Sequence, residues 1–199
     1  MVKKVGIYVL SGCLALFVAA PALFAAPADQ PRTGQTRTTA TGDDGSVQAG
    51  VAWPNPRFTN SDGSTPVSGA IVVDQLTALM WTSDANAPGP ADCTPGVSKT
   101  WQGALDYVAC LNTDLYLGYS DWRLPNVNEM ESLLHAGEGY IATWLNTQGF
   151  TNAQAASYWS STTYAYDTNS VWTVGMSSGI LLSSLKTDSY YVWPVRAGL

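Results

Sequence analysis

Four tryptophan-bearing segments stand in order along the chain: Asp74-Gln75-Leu76-Thr77-Ala78-Leu79-Met80-Trp81, Ser120-Asp121-Trp122-Arg123-Leu124-Pro125-Asn126, Tyr158-Trp159-Ser160-Ser161-Thr162 and Tyr191-Val192-Trp193-Pro194-Val195-Arg196. Such a series is hard to obtain by chance, and none of its members has the make-up of catalytic machinery. Asp121, Trp122 and Arg123 read as structural: an Asp–Arg pair buried beside a Trp satisfies polar groups while fixing a loop. Trp159, Trp172 and Trp193 read as packing anchors, and Arg196 is a candidate to join the Asp–Arg network.

The local patterns around these segments mix helix and strand. Ile71-Val72-Val73 and Leu79-Met80-Trp81 are apolar runs about a five-residue spacer, which predicts a hairpin. Lys99 to Leu111 predicts a helix, with Thr100 as N-cap and Trp101, Ala104, Leu105, Val108 and Leu111 on one face. Asn126-Val127-Asn128-Glu129 has capping-box spacing and predicts a second helix with Val127, Met130 and Leu134 inward, ending before Gly137. From Tyr158 onward, strands are predicted at 158–160, 171–174 and 191–193 between Gly, Asn and Ser turns. Two helices followed by short antiparallel strands make an α+β domain.

The N-terminus reads as an export signal over residues 1–28. Lys3 and Lys4 precede an apolar run from Val5 to Ala20, and Ala26-Pro27-Ala28 is a cleavage site before Asp29. Two other readings stay open, an uncleaved anchor and a lipid on Cys13 within Leu10-Ser11-Gly12-Cys13. Residues 29–50, rich in Thr, Gly, Gln and Asp, cannot bury enough apolar surface to offset their ordering entropy and read as a flexible linker. Residues 51–199 then form one domain, of a size usual for one. The expected location is exported: periplasmic, cell-surface or secreted.

The formal charge is −6, and removing residues 1–28 leaves seven basic residues against 15 acidic ones, or −8. An acidic chain with no Lys/Arg cluster argues against nucleic acid and anionic membrane surfaces as partners. With Cys13 removed, Cys93 and Cys110 form an even pair that reads as a disulfide in an exported chain, the alternative being two free buried thiols. His135 is the sole histidine and has no partner at ligand spacing, so no metal site and no cofactor is expected.

From about Gly42 to the end, the four segments resemble the bacterial Lcl C-terminal-like family, domains that end collagen-like adhesins and many secreted proteins and are related in fold to C-type lectins. The resemblance implies a C-type-lectin-like arrangement, which periodicity alone does not choose. Calcium-dependent sugar binding does not carry over: Pro125-Asn126 follows Leu124 rather than a carboxylate, and no Trp-Asn-Asp segment occurs. The formylglycine-generating enzymes share the broader fold but need cysteines near the C-terminus, and none follows Cys110. No acid, base and nucleophile set can be assembled, so no enzyme is expected.

The C-terminal third is rich in Tyr, Ser, Asn and Thr, the residues of adaptable paratopes. Its layout also resembles the variable region of proteins diversified by retroelements. Tyr164, Tyr166, Asn169, Met176, Ser177, Ile180, Leu182, Ser184, Asp188 and Tyr190 are therefore the candidate ligand-binding residues, expected on one exposed face. The bland alternative is ordinary strands and polar turns. Three functions follow in order: an exported non-catalytic binding domain for an extracellular glycan or protein; a structural domain buried in a homo-oligomer of the bacterial envelope; and a hydrolytic enzyme.

Overall fold

The hairpin expected around Asp74 forms as drawn. In a computed structural model that describes residues 30–198, strands β2 (Ile71–Asp74) and β3 (Leu79–Thr82) pair antiparallel, Ile71 opposite Thr82 and Asp74 opposite Leu79. The reading of residues 1–28 as a signal, and that of Cys13 as a lipid site, lie outside the described residues. A short β1 (Phe58–Thr59) extends the sheet on one side and β7 (Val195–Ala197) on the other, giving the order β1-β2-β3-β7. A second antiparallel sheet runs β4 (Ser157–Thr163), β5 (Ser170–Gly175), β6 (Ile180–Leu185).

The C-terminal strand falls at 195–197 and not at 191–193. The segment before it is extended, but its carbonyls serve different neighbours: Tyr191 accepts from Trp159 N–H, Val192 from Ala87 and Pro194 from Thr82. Pro194 has no N–H to donate, so a regular ladder cannot start before Val195. The segment instead stitches one sheet to the other.

Among the described residues four α-helices are present where two were expected. α2 (Trp101–Thr113) begins at Thr100, whose hydroxyl accepts from Gly103 N–H, and buries Ala104, Tyr107, Val108 and Leu111. α3 (Val127–Ser132) carries both halves of the capping box: Asn126 accepts from Glu129 N–H at 2.9 Å and Glu129 from Asn126 N–H at 2.8 Å. The additional helices are α1, a single turn (Asp44–Val47), and α4 (Ile141–Thr147). α4 has no side-chain cap and follows Gly137-Glu138-Gly139, so it lacks the usual start signal; burial of Ile141, Ala142 and Leu145 holds it. Among the described residues no helix is long and apolar enough to cross a membrane.

Two cores lie against the second sheet. Tyr158 and Val174 join Trp81, Phe150 and Trp193 in one, while Trp159 and Val171 join Trp122, Tyr107 and Leu111 in the other. Trp81 and Trp193 meet edge to face at 5.7 Å, and Trp193 Nε1 donates to Thr82 O at 2.9 Å. Trp159 Nε1 donates to Lys99 O, and Trp122 Nε1 to Tyr116 O. Removing one of these rings would cost about 3–5 kcal/mol. Cys93 and Cys110 are joined, their Cα atoms 5.6 Å apart, and close a loop on α2 worth roughly 3 kcal/mol.

Asp121 does not pair with Arg123. It holds Arg196 in a two-point contact of 2.7 and 3.1 Å, while Arg123 grips Glu129 at 2.6 and 2.7 Å. Arg196 also lies 3.8 Å over the Tyr119 ring. Trp122 is buried as expected, but the Asp121 side chain is 51% exposed against 10% for Arg196. A fully buried pair exists elsewhere: Arg57 meets Asp74 at 2.8 and 3.0 Å and donates to Ser132 O, tying β1 and β2 to α3.

The two pairs should respond differently to truncation. Asp74→Ala strands a buried guanidinium and should lower the unfolding free energy by about 3–5 kcal/mol. Asp121→Ala leaves the largely buried Arg196 on the Tyr119 face with water able to enter where the half-exposed carboxylate stood, and should cost less, about 1.5–3 kcal/mol. Urea unfolding of the oxidised protein measures both, and equal losses would refute the distinction.

Candidate functional site

The ten C-terminal candidates do not form one face. In the β5–β6 register, Trp172 lies beside Ser183, whereas Thr173 lies beside Leu182, Val171 beside Ser184 and Gly175 beside Ile180. Alternation puts Ile180, Leu182 and Ser184 on the face opposite Trp172. Tyr164 packs edge-on against Trp172 at 5.0 Å and lies 6.1 Å from Tyr166, which is 91% exposed. Trp172 is thus half-buried rather than enclosed, while Trp159 and Trp193 are buried as expected.

Two candidates are interior. Met176 is fully buried in the first core, and buried Ser184 pairs its hydroxyl with that of Thr173 at 3.0 Å. Tyr190 packs against Trp159 at 4.9 Å, Ser177 is half-buried, and Asn169 and Asp188 are exposed. The cause is architectural. Cores cover both faces of β4 and β5, so only hairpin tips and the β6 edge project. The expected single paratope is corrected to two separate patches, and buried Met176 and Ser184 are not free to vary.

A cleft of about 490 Å³ lies elsewhere, between residues 31–33, the end of α3 and the β5–β6 turn. Trp53, Glu131, Leu134, His135, Glu138 and Ser178 are among its walls. Its outer wall is the segment read as a linker. Arg32 N–H donates to Val51 O, Val51 N–H to Gln30 O and Ala136 N–H to Thr33 O, and Trp53 Nε1 donates to Arg32 O at 2.7 Å. The segment is ordered by satisfying polar groups rather than by apolar burial. Asp43 alone accepts from the N–H groups of Thr39, Ala40 and Ser46, and these bonds hold its carboxyl far below the usual range. Gly34 is required where the segment crosses the cleft: its φ is +88°, and a Cβ there would lie 2.8 Å from His135 and 2.9 Å from Trp53.

His135 stands between Trp53 and Trp144, with ring centroids 4.9 and 4.7 Å away. Gly137 N–H donates to its Nδ1 at 3.0 Å, so the neutral ring carries its proton on Nε2. Burial pushes its pKa down and the Arg57 charge adds to this, against a smaller upward pull from Glu138. Arg57 sits 4.3 Å over the Trp53 ring and keeps the wall in place. The site therefore offers a fixed aromatic surface, a neutral imidazole and two carboxylates. The signal that could have found it is Trp53, a large aromatic in a Pro-rich stretch outside any apolar run.

Metal ligation has little support. Among the described residues, donor atoms of Cys93, Cys110 and Asp114 lie within 4.8 Å of one another, but the two sulfurs are bonded to each other and are not thiolates.

Neutral His135 gives a pH signature. Its folded pKa is depressed, so its contribution is present above the unfolded value of about 6.5 and is lost as pH falls through the lower folded value. The urea midpoint should be flat above that pH and decline below it, before the carboxylates protonate near pH 4. His135→Gln should flatten this decline, and since the chain has one histidine the assignment is direct. A midpoint that rises on acidification would show that the ring is held as the cation.

A family model for the Lcl C-terminal domain matches residues 70–196, and no curated protein matches the chain. The matched span contains all four tryptophan segments and the pairs Asp121–Arg196 and Arg123–Glu129 that join them. It holds the His135 wall of the cleft, whereas Trp53 and the outer wall precede it. With most of its length in that match, the chain belongs to the Lcl C-terminal domain family.

Proposed function

We propose that this protein is an exported, non-catalytic, adhesin-type binding domain of C-type-lectin-like arrangement whose ligand is a glycan held in the cleft at Trp53 and His135. The observation that carries the reading is the aromatic wall facing fixed polar groups. A sugar presents a flat C–H face that packs on an indole, and hydroxyls that bond to carboxylates and an imidazole N–H. Glu131, Glu138 and the Nε2–H of His135 supply acceptors and a donor at the same cleft.

The absence of chemistry in the proposal rests on the same geometry. His135 takes a backbone N–H on Nδ1, and among the described residues no Ser, Thr or Cys nucleophile is bonded to it. The acidic net charge favours neutral over sulfated saccharides.

The test is binding of the exported chain to a panel of immobilised neutral, sialylated and sulfated oligosaccharides. Trp53→Ala should weaken the strongest interaction at least about tenfold, a loss of about 1.4 kcal/mol, in a protein that stays folded without urea although its midpoint falls, since the indole packs on Arg57, His135 and Trp144. Tyr166→Ala, far more exposed and on another patch, should leave it unchanged. Loss of binding in Tyr166→Ala but not in Trp53→Ala would return recognition to the C-terminal hairpin. No binding to any glycan would refute the ligand class.

A further inference from the structure

Among the described residues one sheet edge is both long and unpaired. β1 is two residues long, and β7 is covered by Arg123, whose N–H and C=O both bond to Val195. β4 gives Ser161 N–H to Pro125 O and Trp159 N–H to Tyr191 O, so its outer side is occupied too. β6 is the last strand of its sheet, six residues long, with no partner on its outer side among the described residues.

Nothing in β6 blunts that edge. Its register with β5 is unbroken, and Ile180-Leu181-Leu182-Ser183-Ser184-Leu185 contains no charge and no proline, the usual devices against pairing. Lys186 N–H donates to Asn169 O, which fixes the phase of the ladder: residues 180, 182 and 184 bond to β5, and Leu181, Ser183 and Leu185 turn their N–H and C=O groups outward, where the Leu185 C=O already accepts from Asp188 N–H at 2.9 Å. Ile180, Leu182 and Leu185 are 54, 52 and 49% exposed.

We propose that β6 pairs antiparallel with β6 of a second copy, making a two-fold dimer with a continuous six-stranded sheet. The edge is its own complement. Centred on Ser183, the pairing sets Leu181 opposite Leu185 of the other copy and Leu185 opposite its Leu181; Ser183 exchanges both bonds with Ser183 of the other copy, Leu185 N–H meets the Leu181 C=O, and Leu181 N–H takes the second lone pair of the Leu185 C=O beside Asp188 N–H. Charge selects the same partner. The chain is net negative, and two copies repel wherever acids face each other, but residues 168–185 carry no charged side chain. Lys186 falls beside the partner's Ile180 rather than beside another lysine. The contact is isologous and closes on itself, so it stops at two copies. It is independent of the cleft reading, although a dimer would present two clefts to a multivalent surface.

Sedimentation equilibrium of the exported chain from micromolar to several hundred micromolar tests this. A mass rising to twice the monomer value is expected. Leu185→Lys changes an exposed side chain and sets a charge opposite the partner's Leu181; it should weaken association at least about tenfold with unchanged near-ultraviolet dichroism. Ser183→Pro removes an outward N–H without touching the β5 ladder and should do the same. A monomer at all concentrations would overturn the proposal. So would a dimer as tight in folded Leu185→Lys as in the wild type, or a mass continuing past two.

Discussion

Closure of the chain end onto the Asp121–Arg123 loop holds this domain together. Arg123 and Val195 exchange both backbone hydrogen bonds, Arg196 reaches Asp121, and β7 seals the free side of β3. The first, second and fourth tryptophan segments therefore meet at one place, and the third joins through Trp159 and Tyr191. Magnitudes say which part matters most. The Asp121–Arg196 pair, its carboxylate half-exposed and its guanidinium buried, contributes about 1.5–3 kcal/mol, whereas each buried ring beside it contributes about 3–5 kcal/mol. The arginine sets register and direction, and the indoles supply the stability.

Much of this was legible because the signals are local. Thr100 and the Asn126–Glu129 box mark helix starts through hydrogen bonds made within four residues, and both form where expected. The β2–β3 hairpin is likewise a matter of two apolar runs and a turn. The disulfide follows from an even pair of cysteines and lies at bonding distance. Partner choice among charges was not legible. Asp121 and Arg123 lie two apart in sequence, yet each pairs with a residue of another element, because Arg196 and Glu129 each make a two-point contact with the side chain they meet.

The misreadings share a physical origin. Residues 30–50 have the composition of a linker, since apolar content measures one source of order only. Their order comes from Asp43, from backbone bonds to Val51 and from a glycine that fits over an imidazole. The C-terminal strands read as a display surface because Tyr, Ser and Asn suit one. Composition carries no information on how many faces of a sheet are covered, and here cores cover both faces of β4 and β5.

These two errors are linked through the position of the cleft. A sheet enclosed on both faces cannot offer a broad surface, so a concavity must be built where an extra segment rides over the domain. That segment, with Trp53, precedes the span shared with the family, whereas His135, Glu131 and Glu138 fall within it. One wall is thus carried on family scaffold and the other on residues before it. The scaffold wall is rigid because His135 is pinned by Gly137 N–H and two indoles. Changes in residues 30–53 can therefore reshape the cleft without disturbing the closure at Asp121 and Arg196, which lies outside its lining. The shape of the cleft and the closure of the fold rest on different residues, and each can alter while the other holds.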